Sequence, residues 1–224
     1  MIDRLKIRQA TEDDIDFVCE AIFESEKSNS QVISSCNIFG ITEVRFKEIL
    51  QDVLLEDIGF YDYYLSGFLI AELNGEYIGA LGSWLEGGDN NPSGIIKATI
   101  LFQYLDKSKM DVINRNANIV RGLTLPREAG ALQLEHGYTR EKFRRKGVFL
   151  RLTKEIIKIN FAKYSFNKVQ GILFKDNYKS LNANLKFGFE IVDEKRVDDP
   201  QIFQYFPYNS KILVEFSGNK ILNL

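Results

Sequence analysis

Arg144, Arg145, Lys146 and Gly147 lie in the run FRRKGVFLRL, Phe143 to Leu152, between a strand-like stretch, Leu132 to Thr139, and an apolar, helix-periodic one. A strand that feeds a glycine-bearing turn and then a helix can hold an anion. The first-turn N–H groups have no intrahelical partner, and the helix dipole adds partial positive charge there. The basic side chains around the turn raise the potential further, which suits a phosphate or diphosphate. Read locally, the same pattern also describes an ordinary solvated helix start. Further on, KDNYKSLNANLKFGFEIV (Lys175 to Val192) follows the strand-like Val169 to Phe174. Asn177 is placed to cap a short helix with Tyr178, Leu181 and Leu185 on its apolar face, and Gly188 ends it before a strand, Phe189 to Val192.

Together these segments resemble the GNAT superfamily of N-acetyltransferases. Its acyl-CoA signature, Arg/Gln-x-x-Gly-x-Gly/Ala after the fourth strand, is met by Arg144-x-x-Gly147, and its later Asn, short helix and Gly-Phe by Asn177 and Gly188-Phe189. Ile7 to Asp14 resembles the family's opening strand, with Thr11 capping the first helix. The likeness covers about half the chain; Ser25 to Ser66 and Gly87 to Gly130 carry no such pattern. The sequence departs from the family at Phe149, where a small residue would let the backbone approach a diphosphate closely. It departs again at Asn184, where many members carry a Tyr that protonates the leaving thiolate; an amide does not supply that proton.

The resemblance implies an α/β (α+β) fold with a mixed, mostly antiparallel central sheet of about 6–7 strands flanked by helices. It implies one domain over residues 1–224, with a helical insertion of about 87–130 between the third and fourth strands. The implied activity is transfer of an acetyl or short acyl group from acetyl-CoA, as cosubstrate and without a metal, to an amine of a small molecule or peptide. Arg144, Arg145, Lys146, Gly147 and the amides of Val148 and Phe149 would contact phosphate. A backbone amide near Tyr138 or Thr139 would receive the thioester oxygen, and Asn177 would bond the pantetheine arm or simply cap its helix. Members with a base on the fourth strand carry it nine or eleven residues before the signature, here Glu135 or Gln133. Side chains alternate along a strand, so Gln133, Glu135, Gly137 and Thr139 are expected on one face and His136, the only histidine, on the other. Glu135 is thus the expected base, its alternative role being an ion pair; His136 reads as a core or interface residue. A non-catalytic acyl-CoA sensor, or a domain that has lost the ligand with Phe149 in its place, are the competing readings. Many relatives pair as dimers.

The elements that must position these groups follow from pattern. Leu5 to Gln9 reads as a strand, and Glu12 to about Ser25 as a helix striped by Ile15, Val18, Cys19 and Ile22. Ser28 to Gly40 reads as loop and Thr42 to Leu55 as a second helix. Tyr61-Asp62-Tyr63-Tyr64 either packs under the sheet or walls an acceptor pocket. Phe68 to Leu73 and Tyr77 to Trp84 form a hairpin about Asn74-Gly75-Glu76. Ile95 to Leu105 is helical within the insertion, Gly147 or Val148 to about Ala162 forms the long helix, and Gln201 to Phe216 holds the final strand pair. A chain of 224 residues, 45% hydrophobic, can bury a full core, and its net charge of −2 argues against a nucleic-acid binder. Its two cysteines make no disulfide framework, and no apolar run reaches the ~20 residues of a membrane helix. The expectation is a soluble, cytoplasmic protein.

Overall fold

The structure, a computed structural model, describes residues 4–222. Its strands are β1 (Leu5–Gln9), β2 (Phe68–Leu73), β3 (Glu76–Leu85), β4 (Leu132–Thr139), β5 (Lys168–Phe174), β6 (Glu190–Arg196) and β7 (Ser210–Ser217). Its helices are α1 (Ile15–Lys27), α2 (Ser34–Phe39), α3 (Glu43–Glu56), α4 (Ser93–Tyr104), α5 (Met110–Gly122), α6 (Val148–Phe161), α7 (Tyr178–Phe187) and a short α8 (Asn219–Leu222). The strands form a single sheet in the order β1-β2-β3-β4-β5-β7-β6, antiparallel throughout except for β4 beside β5. The expected mixed, mostly antiparallel sheet with an insertion between its third and fourth strands is therefore present.

Alternation along β2 and β3 sends one set of side chains to each face. Phe68, Ile70 and Ala80 pack with α1, α3, Tyr61, Tyr63 and the insertion residues Ile100 and Leu101. Leu69, Ala71, Ile78 and Leu81 pack on the other face with Leu132, Leu134, Val148, Leu152 and Ile156 beneath α6. Each of the larger side chains among them contributes about 1.5–3 kcal/mol by leaving water. Cys19 lies within the first core, where burial pushes its thiol up to about 12.

Two irregularities shape the middle of the sheet. The β4–β5 ladder holds only Leu132–Leu134 against Val169–Gly171, so past Leu134 the strands part and leave a gap. On the opposite edge, Ala80 pairs with Tyr138 and Gly82 with Glu135. Two steps on β3 face three on β4, which makes a bulge in β4, and His136 takes a left-handed φ of 54° there.

Some expectations need correction. Residues 28–40 are not all loop: Ser34–Phe39 is helical, held by the half-buried Glu26 carboxylate, which accepts from Ser35 N (2.9 Å) and Ser35 Oγ (2.5 Å). Helix α5 within the insertion was not assigned from the sequence, although Ile113, Ile119 and Val120 recur on its packed face; between them the buried Asn116 is bonded to Ile38 O at 3.1 Å and to the Tyr205 hydroxyl at 2.8 Å. The region around Gln201 is a 3₁₀ turn (Pro200–Gln204), and β7 pairs instead with β6. On α7 the supposed apolar face is largely outward, with Tyr178 64% exposed and Leu185 43%, while Asn184 is buried.

Candidate active site

The turn before α6 is built for an open concavity. Arg145 (φ 62°) and Gly147 (φ 80°) both take left-handed backbone, a conformation that costs a non-glycine residue about 1 kcal/mol. A Cβ built on Gly147 would meet nothing within 4 Å, so the backbone there is open to close approach. The first α-helical bond runs from Arg151 N to Gly147 O (3.1 Å), which leaves the amides of Val148, Phe149 and Leu150 without a helical acceptor. Arg144 braces the turn by donating from Nε to Thr139 O at 3.0 Å. Lys142 is paired with Glu76 at 2.7 Å. Arg145 and Lys146 are exposed, and among the described residues neither has an ion pair or hydrogen bond, Lys146 only resting over the Phe143 ring.

Phe149 does not fill this concavity. Its ring turns toward the sheet, where a Cβ on Gly137 would stand 3.4 Å from Phe149 Cε2 and 3.2 Å from Leu81 Cδ1. The missing side chain of Gly137 gives the ring its place. The large residue in the last signature position is thus compensated on β4.

Across the β4–β5 gap, Asn177 caps α7: its Oδ1 accepts from Ser180 N (3.3 Å) and from Asn29 Nδ2 (2.6 Å), so the capping role is occupied by its carbonyl oxygen. Asn184 donates to Ser180 O at 3.0 Å within its own helix, and the Tyr178 hydroxyl reaches Asp176 at 3.3 Å on the outside.

Beside the bulge the sheet carries a cluster of charges. The bulge overturns the alternation expected for β4. Glu135 and His136 project to the same face, with Asp62, Glu135 and His136 offering ligand atoms all within 4.8 Å of one another, while Gly137 faces Leu81 and Phe149 on the other side. Even so, His136 is held as an interior group. It stacks between Tyr63 and Phe68, its Nε2 lies 3.3 Å from Asp62 Oδ2, and its Nδ1 lies 2.9 Å from Ser25 Oγ. Asp62 and the Ser25 hydroxyl thus engage both ring nitrogens.

Lys97 of α4 donates to Asp62 at 2.6 Å and sits 4.2 Å from the Tyr63 ring centroid. Burial alone would raise the Asp62 carboxyl, but Lys97 and His136 outweigh it and hold it well below the usual carboxylate range. Arg127 is ion-paired with Glu135 Oε2 and stacks on Trp84 at 5.2 Å, and Glu135 Oε1 has no hydrogen-bond partner among the described residues. Burial works against the Arg127 charge, and Glu135 reverses that and raises it above its ordinary value. The side chains of Lys97, Arg127 and Glu135 each keep 23–28% exposure, so the cluster lines an opening. A divalent ion at these three ligand atoms would have to displace Lys97 and Arg127, which already supply its charge. Gln133, the other candidate on β4, is buried and donates to Gln170 Oε1 at 3.0 Å, cross-linking the strands.

No protein-family model matches this sequence, and no curated protein does. Solved structures do. An N-acetyltransferase from Staphylococcus aureus Mu50 superposes with a TM-score of 0.62 at 13% identity, over 94% of this chain and 100% of its own. The chain has the GNAT fold. The aminoglycoside acetyltransferase AAC(6')-Ib in complex with coenzyme A shares this GNAT fold with a TM-score of 0.54 at 14% identity, over 98% of each chain. Ard1 from Thermoplasma volcanium follows with 0.53 at 11%, over 96% and 97%. The sequence singled out the turn, Glu135 and Asn177 as candidates; the structure sets Glu135 beside Asp62, Lys97 and Arg127, which the sequence did not single out, the one local hint being Asp62 among the tyrosines. Among the described residues no helix is long and apolar enough to cross a membrane.

Proposed function

We propose that the protein transfers an acyl group from acetyl-CoA to an amine by direct attack. The observation that carries this reading is the open turn before α6. Its free amides and its unpartnered Arg145 and Lys146 stand at the mouth of the β4–β5 gap, with Glu135 on the adjoining strand. In this reading Arg145, Lys146 and the amides of Gly147, Val148 and Phe149 hold the diphosphate, while Arg144 keeps the turn in shape. The pantetheine arm lies along the unpaired edge of β4, with an amide of Tyr138 or Thr139 on the thioester oxygen and Asn177 Nδ2 on the arm. Glu135 Oε1 takes a proton from the acceptor ammonium, directly or through a water. The amine nitrogen then bonds the carbonyl carbon, the carbon–sulfur bond breaks, and the thiolate is protonated.

One observation favours a second reading, a non-catalytic acyl-CoA sensor. Asn184 stands in the tyrosine position and Tyr178 points outward, so neither position offers the leaving thiolate a phenol. Thermal unfolding with acetyl-CoA, combined with thiol release across a panel of amines, separates the two. Stabilisation with thiol release supports transfer; stabilisation without release from any amine supports sensing. An unchanged melting temperature contradicts both.

A further inference from the structure

Lys211 is a charge that the mechanism above does not use. It stands on β7 directly across the ladder from Phe174 of β5. Its Nζ lies 4.9 Å from the Phe174 ring centroid and 4.7 Å from that of Phe206, and among the described residues it has no ion pair or hydrogen bond. The other charges of this face are matched. Lys97 is paired with Asp62 and Arg127 with Glu135, and Glu26 is held by Ser35 and by the Tyr63 hydroxyl at 3.4 Å. Burial pushes the Lys211 ammonium down to about 8, Glu135 drawing it back up and Arg127 lowering it further. A lysine without an ion pair or hydrogen bond among the described residues, held against two rings beside a charged face, is a candidate for binding a ligand's anion.

Among the described residues the face therefore offers one cation with no ion pair or hydrogen bond, Lys211, seated on two rings, and one carboxylate oxygen with neither, Glu135 Oε1. An acceptor bearing several ammonium groups would bring more positive charge beside Lys97, Arg127 and Lys211. A zwitterion adds no net charge and complements both free groups. We propose that the acceptor is an amino acid, its ammonium presented to Glu135 and its carboxylate resting on Lys211 within the Phe174–Phe206 wall. This rests on the acyl-transfer reading given above and names its substrate class.

The test compares α- and ω-amino acids with their matched amides as acceptors, using the wild type and K211M, with acetyl-CoA binding followed separately by calorimetry. Methionine keeps the apolar stem against both rings and removes the charge. The wild type is expected to favour at least one acid over its amide by about tenfold or more in kcat/KM, the size of one charge-assisted hydrogen bond. K211M is expected to abolish that preference, chiefly through KM, with acetyl-CoA affinity unchanged. Equal use of acid and amide by the wild type overturns the proposal whether or not the variant folds, as does a preference that survives in K211M. If acetyl-CoA binds and only amines lacking a carboxylate react, the acceptor assignment alone falls; if it binds and no amine reacts, the transfer reading falls with it. If acetyl-CoA does not bind, acyl transfer itself fails and this proposal with it.

Discussion

Removing Arg145 and Lys146 together should weaken coenzyme A binding without touching the fold. Both side chains are exposed and have no ion pair or hydrogen bond among the described residues, so R145A/K146A loses only the Lys146 contact over the Phe143 ring, and its stability should stay within about 0.5 kcal/mol of wild type. Alanine keeps a Cβ at Arg145, so the left-handed turn is neither relaxed nor strained further. A hydrogen bond to a charged group is worth about 1.5–3 kcal/mol. Exposure and a Debye length of about 8 Å reduce that to about 1 kcal/mol for each cation. Two cations give about 2 kcal/mol, or roughly 30-fold in Kd. Calorimetry at low and high salt reads both the affinity and its salt dependence, which should be shallower for the variant. Dephospho-CoA in the same titration shows how much of the loss belongs to the 3′-phosphate. K142A is the control, because Lys142 already pairs with Glu76 at 2.7 Å. A change under about threefold, with an unaltered salt response, would refute the reasoning.

The remaining expectations are narrower. Glu135→Gln preserves shape and an acceptor for Arg127, so turnover should fall by about 10²-fold or more while acetyl-CoA still binds; full activity would remove Glu135 from the chemistry. Lys97→Met leaves Asp62, only 8% exposed, without its cation, which should cost about 3–5 kcal/mol in urea unfolding; a loss under about 1 kcal/mol would show that the pair does not hold α4 to the turn at Asp62. Arg8 donates to both oxygens of Asp14 (2.6 and 2.8 Å). That interaction first, opposed by burial and helped by the Thr11 amide, holds the Asp14 carboxyl well below its ordinary value of 3.8. Because the native value is the lower one, the stabilisation is present above the unfolded value and is lost as pH falls through the native one. The urea midpoint should therefore drop on acidification more steeply for wild type than for Asp14→Asn; parallel profiles would contradict this.

What could be read from the sequence was local. A capping asparagine, a basic turn with its glycine and a hairpin at Asn74-Gly75 are each written within a few residues, and Asn177, Gly147 and β2–β3 stand where that chemistry places them. The bulge was not legible, since it depends on how β4 meets β3 at Ala80 and Gly82, and it moved His136 onto the face of Glu135. Helix α2 is short and carries two serines at its start, and the Glu26 carboxylate that holds it comes from the preceding helix. The charged face draws on Asp62, Lys97, Arg127, Glu135 and Lys211, and only the folded sheet makes these neighbours. Phe149 looked like an obstruction until the space above Gly137 showed where its ring goes.

The central claim is that the helix start at Val148 receives a diphosphate. A crystal structure of the complex with coenzyme A tests it most directly. The account predicts diphosphate density against the amides of Gly147 to Phe149, with the pantetheine arm running beside β4 past Leu134. Coenzyme A bound elsewhere, or a Phe149 ring swung out across the turn, would contradict it.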